Sequence, residues 1–257
     1  LTEPAPGPDP ASMRTRARKD GDDWVLNGSK MWITNGSIAD VAVVWANAGE
    51  EHGGIRGFVV PTDTSGFAAH KISHKMSLRA SVTAELTFED LRLPADAVFP
   101  DVTGLKGPLA CLSEARYGIV WGALGAARSS LDAARRYSMG RIQFGRPIAG
   151  FQLTQAKLAN MATELQLGQL LALHLGRRKD TVGLRPEQVS VGKYNNITKA
   201  IEICRTARTI LGANGVSGEY PVLRHANNLE SVLTYEGTVE MHTLVIGQAL
   251  TGESAFR

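Results

Sequence analysis

Gly104-Leu105-Lys106-Gly107-Pro108 divides the chain into two textures. Upstream, Gly, Pro, Asn and Asp punctuate short runs of β-branched and aromatic residues, the pattern of strands joined by turns. Strands are expected at 12–19, 24–34, 41–47, 56–61, 67–71 and 84–93. Asp20-Gly21-Asp22-Asp23 reads as a hairpin turn, Asn27-Gly28 as a bend or bulge in a longer ribbon, and Asn35-Gly36 as its end. Downstream, prolines become rare and apolar residues recur at helical spacing, as in Leu158, Met161 and Leu165. Long helices are expected at 108–139, 151–180, 186–211 and 239–250, with a shorter one at 222–233. Pro108 and Pro186 then fall in first helical turns, where proline is tolerated. The pattern is α+β by segregation: a β-barrel or sandwich domain over 1–104, then an antiparallel four-helix bundle domain over 105–257. Helices this long suggest a bundle that also packs against other subunits.

Composition narrows the function classes. The chain has 257 residues, 43% of them hydrophobic, too apolar for disorder. Two cysteines, Cys111 and Cys204, are too few for a disulfide scaffold. No apolar run approaches a membrane span. The net charge of +3 does not point to a nucleic-acid polymer. Arg14, Arg16 and Arg18 alternate along one strand face and read as a solvated stripe. His70 and His74 are four apart but in a strand or loop with no third ligand, and the other four histidines are scattered, so no metal site is expected. The chain opens at Leu1 rather than Met, which reads as a fragment.

Several segments carry two readings each. Leu1-Thr2-Glu3-Pro4 begins a proline-spaced stretch that reads as an extended linker. Trp32, in Met31-Trp32-Ile33-Thr34-Asn35, is either ordinary core or an aromatic wall for a flat heterocycle, with Thr34 donating at its edge. Arg141-Ile142-Gln143-Phe144-Gly145-Arg146-Pro147 joins two helices. Its Arg is either a phosphate ligand or a cation at a helix C-terminus. Leu211-Gly212-Ala213-Asn214-Gly215 is either a helix cap or a backbone that lets a phosphate or ribose approach. Thr234-Tyr235-Glu236-Gly237-Thr238 is the most informative. One reading is a helix N-cap, with Thr238 as the cap. The other is a general base at Glu236, with Gly237 giving access and Tyr235 limiting water, which raises a carboxylate's pKa.

Taken in order, these motifs resemble the acyl-CoA dehydrogenase family of flavoproteins, over essentially the whole chain. The carrying residues are Leu1-Thr2-Glu3-Pro4 with Gly7 and Asp9, Trp32-Ile33-Thr34-Asn35, Arg141-x-Gln143-Phe144-Gly145, Gln152, Leu211-Gly212-x-Asn214-Gly215 and Tyr235-Glu236-Gly237-Thr238. Within the family the chain is similar to the glutaryl-CoA branch, through Leu78-Arg79-Ala80-Ser81, Ala115-Arg116-Tyr117-Gly118-Ile119, Arg224-His225 and His242.

The resemblance implies a subunit of three parts, of which this chain holds the middle β domain and the C-terminal helical domain, assembled as a homotetramer. It implies FAD as cofactor. Leu1, Thr2, Trp32, Ile33 and Thr34 would line the flavin, with Thr238 and Glu240 approaching it from the same subunit. Arg141, Phe144, Gln152, Leu211, Gly212 and Ala213 would reach the FAD of a neighbouring subunit, and Phe256 also matches a cofactor-side position. Leu112, Arg116, Tyr235 and Gly237 would line the acyl-CoA site. Glu236 matches the catalytic base; the alternative base position of other branches is Ala115 here. The implied reaction is oxidation of an acyl-CoA thioester at Cα–Cβ, with loss of CO2 from glutaryl-CoA to give crotonyl-CoA. Electrons would pass to electron-transfer flavoprotein. The location would be cytoplasmic in a bacterium and the mitochondrial matrix in a eukaryote. The alternatives are a dehydrogenase that does not decarboxylate and an inactive truncated assembly module. Two features depart from the branch. Pro8 stands where the family has a Ser that contacts the acyl-CoA, and Pro lacks both the hydroxyl and the N–H. The Arg that recognises the distal carboxylate belongs to the absent N-terminal part.

Overall fold

A strand of period two can bury alternate residues, as Leu86 and Phe88 do here, and the first half of the chain holds six strands among the described residues. They are β1 Arg16–Asp20, β2 Asp23–Thr34, β3 Val41–Asn47, β4 Ile55–Pro61, β5 Phe67–Lys71 and β6 Thr83–Leu93. The computed structural model describes residues 1–5, 7 and 9–255; Pro8 and Phe256, both singled out by the sequence, lie outside the described residues. By contacts the chain forms two compact units, 1–112 and 113–257.

In the first unit the strands form one sheet in the order β4-β3-β1-β2-β6-β5. β1 and β2 form the expected hairpin, with Asp20 opposite Asp23 and Gly21-Asp22 as its two-residue turn. β1 also runs parallel to β3, so β2 and β3 are not neighbours. The expected strand start at Ser12 is corrected to Arg16. Asp9 caps a short 3-10 turn, Pro10–Ser12, whose Pro10 fixes a helical φ. Arg14, Arg16 and Arg18 are exposed, as a solvated stripe requires. Trp24, Leu26, Val44, Phe58, Leu86, Phe88, Leu91 and Leu93 share one core.

Two bulges bend the β2–β6 ribbon. Leu26 pairs with Leu91 and Gly28 with Phe88, so the ribbon is irregular at the expected Asn27-Gly28, with the extra residue on the facing strand β6. Asp90 takes φ +46° there, and its backbone N–H donates to the Asn27 side chain at 2.9 Å. This extra residue explains why the buried positions of β6 change parity from Leu86 and Phe88 to Leu91 and Leu93. The second bulge lies on β2 between Lys30 and Ile33. Trp32 takes φ +62° at that point and is 58% exposed. The ordinary-core reading of Trp32 is thereby corrected: the bulge turns its ring out of the sheet.

The second half is helical: α1 Lys106–Gly140, α2 Gln152–Thr181, α3 Pro186–Ile210, α4 Val222–Thr234 and α5 Val239–Thr251. The expected limits hold to within two residues. In the second unit α3 packs against α2, α4 and α5. Residues of α1, including Val120, Leu124, Ala127 and Ala134, join those of α2, α3 and α4 in one core. Asn196 of α3 fastens this core, its amide donating to the carbonyls of Gly168 at 3.0 Å and Val120 at 3.3 Å. The α1–α2 connection is a small hairpin, β7 Ile142–Gln143 with β8 Arg146–Pro147, turned at Phe144-Gly145. No helix of the described residues is long and apolar enough to cross a membrane.

Candidate active site

Glu236 lies in the link between α4 and α5. α4 stops because Tyr235 turns extended, at φ −78° and ψ 160°. Glu236 then takes φ +53° and Gly237 φ +95°. The left-handed conformation costs a non-glycine residue about 1–2 kcal/mol, so something else must hold it. Gly237 also has a packing reason: a Cβ there would lie 3.0 Å from Nε2 of His242 and 3.3 Å from the Arg116 guanidinium. Thr238 closes the link as the N-cap of α5, its hydroxyl accepting from the Met241 N–H at 3.4 Å.

Two cations hold this link. Arg116 of α1 donates from Nε to the Glu236 carbonyl at 2.7 Å. Lys193 of α3, only 2% exposed, donates from Nζ to the carbonyls of Val232 at 3.1 Å, Tyr235 at 2.7 Å and Gly237 at 2.7 Å. Three acceptors account for all three ammonium hydrogens. They include carbonyls at the end of α4, where a cation is favoured.

The Glu236 carboxylate is placed differently. Its Oε2 is buried and has no hydrogen-bond partner among the described residues. Burial pushes its pKa above the usual carboxylate range, while Arg116 and Lys193 hold that rise back. Burial, with the neighbouring Arg116 charge, brings Lys193 down to about 8, so the ammonium persists at neutral pH. His242 is 2% exposed, and its Nδ1 lies 3.0 Å from the Ser190 hydroxyl. Burial, then the charges of Lys193 and Arg116, lower it to about 4 and keep the imidazole neutral. A raised carboxylate with an unbonded oxygen, gripped by its backbone, is suited to take a proton from a weak carbon acid.

Residues 1–91 match the acyl-CoA dehydrogenase middle domain, and residues 103–251 match the C-terminal domain of the same family. The chain belongs to the acyl-CoA dehydrogenase family. Its fold matches a glutaryl-CoA dehydrogenase structure from Mycobacterium smegmatis at TM-score 0.97 and 68% identity, over 100% of this chain and 66% of that one. A second glutaryl-CoA dehydrogenase structure from that organism, in complex with FADH2, matches at TM-score 0.97 and 62% identity over the same shares. The human mitochondrial short-chain specific acyl-CoA dehydrogenase is 38% identical over 96% of this chain and 60% of its own length. The chain therefore spans about three fifths of the curated relatives it matches.

In this acyl-CoA dehydrogenase chain the remaining candidates fall into groups. Within the first unit Leu1 and Thr2 lie along β2, the Thr2 carbonyl accepting from the Met31 N–H at 2.9 Å. The linker reading of this segment is corrected, because Glu3 is buried and accepts from Lys30 at 2.7 Å and from the N–H groups of Arg14 at 2.7 Å and Thr15 at 2.9 Å. Exposed Trp32 and Thr34 and half-buried Ile33 follow on the same bulged strand. Within the second unit Arg141 is exposed just beyond α1, and Phe144 at the hairpin tip is 94% exposed. Phe144 packs edge-on to Phe151, beside Gln152 at the start of α2. The segment Leu211, Gly212, Ala213 leads into a 3-10 turn, Gly212–Val216, whose Asn214 donates to the Tyr137 hydroxyl at 2.9 Å and so ties it to α1. Leu112 is half-buried, and Glu240 lies exposed in the first turn of α5. Tyr235 is 38% exposed beside Glu236.

Sequence reasoning missed Lys193 and gave His242 no role beyond its family match. A signal existed. Lys193 occupies the apolar stripe of α3, in register with Val189, Ile197 and Ala200. A lysine on such a stripe is paired inside the fold or misplaced.

Proposed function

We propose that this acyl-CoA dehydrogenase oxidises an acyl-CoA thioester at Cα–Cβ with Glu236 as general base. The observation that carries the proposal is the buried, unbonded Oε2 of Glu236 on a backbone gripped by Arg116 and Lys193. The α-hydrogen of a thioester is weakly acidic. Its removal calls for a positioned base whose pKa lies close to the working pH, and burial supplies that direction of shift.

FAD is the cofactor we infer; when bound, it supplies the acceptor for the β-hydrogen as hydride. The chain's exposed groups fit such a ligand. Trp32 presents a flat aromatic face on its bulge, with the Thr34 hydroxyl two residues on and Leu1 and Thr2 alongside. Thr238 and Glu240, in the second unit, are assigned to the cofactor by resemblance. Arg141 offers a guanidinium for phosphate, with Phe144, Gln152 and Leu211, Gly212 and Ala213 in the same unit, and Phe256 is assigned by resemblance. Leu112, Arg116, Tyr235 and Gly237 would face the acyl-CoA.

The substrate we infer is glutaryl-CoA, supported by 68% identity to the Mycobacterium smegmatis glutaryl-CoA dehydrogenase across the whole chain. After oxidation the bond from the γ-carbon to the distal carboxylate breaks and CO2 leaves. Its electron pair forms a dienolate, and Glu236, now protonated, returns the proton to give crotonyl-CoA. A second reading, desaturation without decarboxylation, is favoured by the short-chain relative at 38% identity. Electron-transfer flavoprotein is the inferred acceptor. A homotetramer is the inferred assembly, with exposed Leu167, Leu170 and Leu173 on α2 available to bury.

The test mixes the full-length, FAD-loaded protein with glutaryl-CoA. Flavin bleaching with crotonyl-CoA and CO2 as products supports the proposal, and Glu236→Gln should abolish it with FAD retained. Undiminished bleaching in Glu236→Gln overturns the base assignment; a desaturated product without CO2 selects the second reading.

A further inference from the structure

The carbonyls of Tyr235, Glu236 and Gly237 are consecutive, and each accepts a hydrogen bond from a cation on another helix. Lys193 takes the outer two and Arg116 the middle one. Lys193 adds the carbonyl of Val232, in the last turn of α4. The peptide oxygens on either side of the base are thus drawn to one buried point on α3. That convergence defines the left-handed step at Glu236.

We propose that Lys193 is a positioning residue: by fastening the carbonyls on both sides of Glu236 to α3, it fixes the direction in which the carboxylate points. This rests on the reading of Glu236 as the base. An apolar side chain at 193 would leave three inward carbonyls without their donor. Such groups seek other partners, and here the link would relax from its left-handed conformation to release them. The carboxylate would survive but aim elsewhere. A misplacement near 1 Å is enough to cost about 100-fold in rate. The ammonium is held by three backbone oxygens and has Tyr235 beside it, its ring centre 5.9 Å away. Lys193 therefore acts through Glu236 and needs no contact with substrate.

The experiment uses the full-length FAD-loaded protein, glutaryl-CoA or butyryl-CoA as reductant, and rapid mixing at 450 nm. For Lys193→Met the limiting rate of bleaching should fall about 100-fold, with the acyl-CoA dissociation constant and the flavin content close to parental. Lys193→Arg keeps the charge but not the point geometry, and should recover part of that loss. A purely structural lysine would lower flavin content and melting temperature and leave the rate per bound flavin unchanged; that result overturns the proposal. Should Lys193→Met fail to load FAD, Lys193→Gln, with a shorter side chain and no charge, decides, and a loaded Gln variant at the parental rate overturns the proposal equally. Glu236→Gln runs in parallel. If it bleaches at the parental rate, the base assignment fails, and that failure is read independently of Lys193.

Discussion

Arg116 reaches Glu236 through the backbone: its Nε lies 2.7 Å from the Glu236 carbonyl oxygen, while Oε2 of the same residue has no partner. A guanidinium set bidentate on the carboxylate would pull its pKa down and make it a weak base. Set on the peptide, it steadies the left-handed turn and exerts only a milder field on the carboxylate. Charge-assisted bonds of this kind contribute about 1.5–3 kcal/mol. Arg116→Met should therefore slow flavin bleaching by about 10–100-fold with FAD still bound, as read by rapid mixing.

The same field predicts a pH profile. Burial raises Glu236, and the base works only when deprotonated. The bleaching rate should climb with pH through a limb lying above the ordinary glutamate value of about 4.3. Arg116→Met removes one of the two charges holding the rise back, so its limb should move to higher pH. A limb that stays in place would show that Arg116 exerts no field on the base.

Gly237→Ala tests the space beneath the turn. At φ +95° a side chain is strained, and its Cβ would press on Nε2 of His242 at 3.0 Å. We expect a loss of about 1–3 kcal/mol in stability, measured by denaturant unfolding, together with slower bleaching. An alanine variant with parental stability and rate would show that the turn adapts freely.

Much of the fold was legible because local signals agreed. Helical spacing and the prolines at 108 and 186 set the helices, and turn residues delimited β3 and β5. The sheet order was not legible, because β1 joins β3 through a single parallel register that no local pattern encodes. Glu236 was legible from its neighbours in sequence, a carboxylate followed by Gly and a capping Thr. Its support was not. Lys193 lies 43 residues away and meets Glu236 only when α3 packs against α4 and α5. The exposure of Trp32 likewise needed the bulge on β2, which depends on pairing with β6.

His242 gives the second unit an acid weakness. Its pKa falls from 6.5 to about 4 on folding, because burial and the charges of Lys193 and Arg116 oppose protonation. The unfolded chain then binds more protons between those values, so stability is full above pH 6.5 and falls as pH drops toward 4. The loss is about 3 kcal/mol. His242→Gln removes the titrating group and should flatten unfolding free energy across this window. An unchanged slope would place the acid sensitivity elsewhere.

In the first unit the decisive pair is Glu3 with Lys30, 2.7 Å apart and both buried. Burial alone would raise the Glu3 carboxyl, but hydrogen bonds from Lys30, Thr15 and Arg14 outweigh it and bring the pKa down to about 2. Stability from this group is therefore present above about pH 4.5 and is lost as pH falls through about 2. Glu3→Gln keeps the shape, removes the charge and leaves Lys30 buried without its counterion. Breaking one side of a buried pair costs about 3–5 kcal/mol, so the first unit should unfold at markedly lower denaturant, and its stability should lose the acid slope below pH 4.5. The consequence reaches the proposed flavin site, because Glu3 anchors the segment whose Thr2 carbonyl bonds the Met31 N–H beside Trp32. Freed from Lys30, Leu1 and Thr2 would no longer be held along β2. Glu3→Gln should weaken FAD retention on dilution while the bleaching rate of each molecule that keeps its flavin stays close to parental, because Glu236 is held by Arg116 and Lys193 on other elements. Parental FAD retention in a variant with proven loss of stability would separate the Glu3 anchor from the cofactor site.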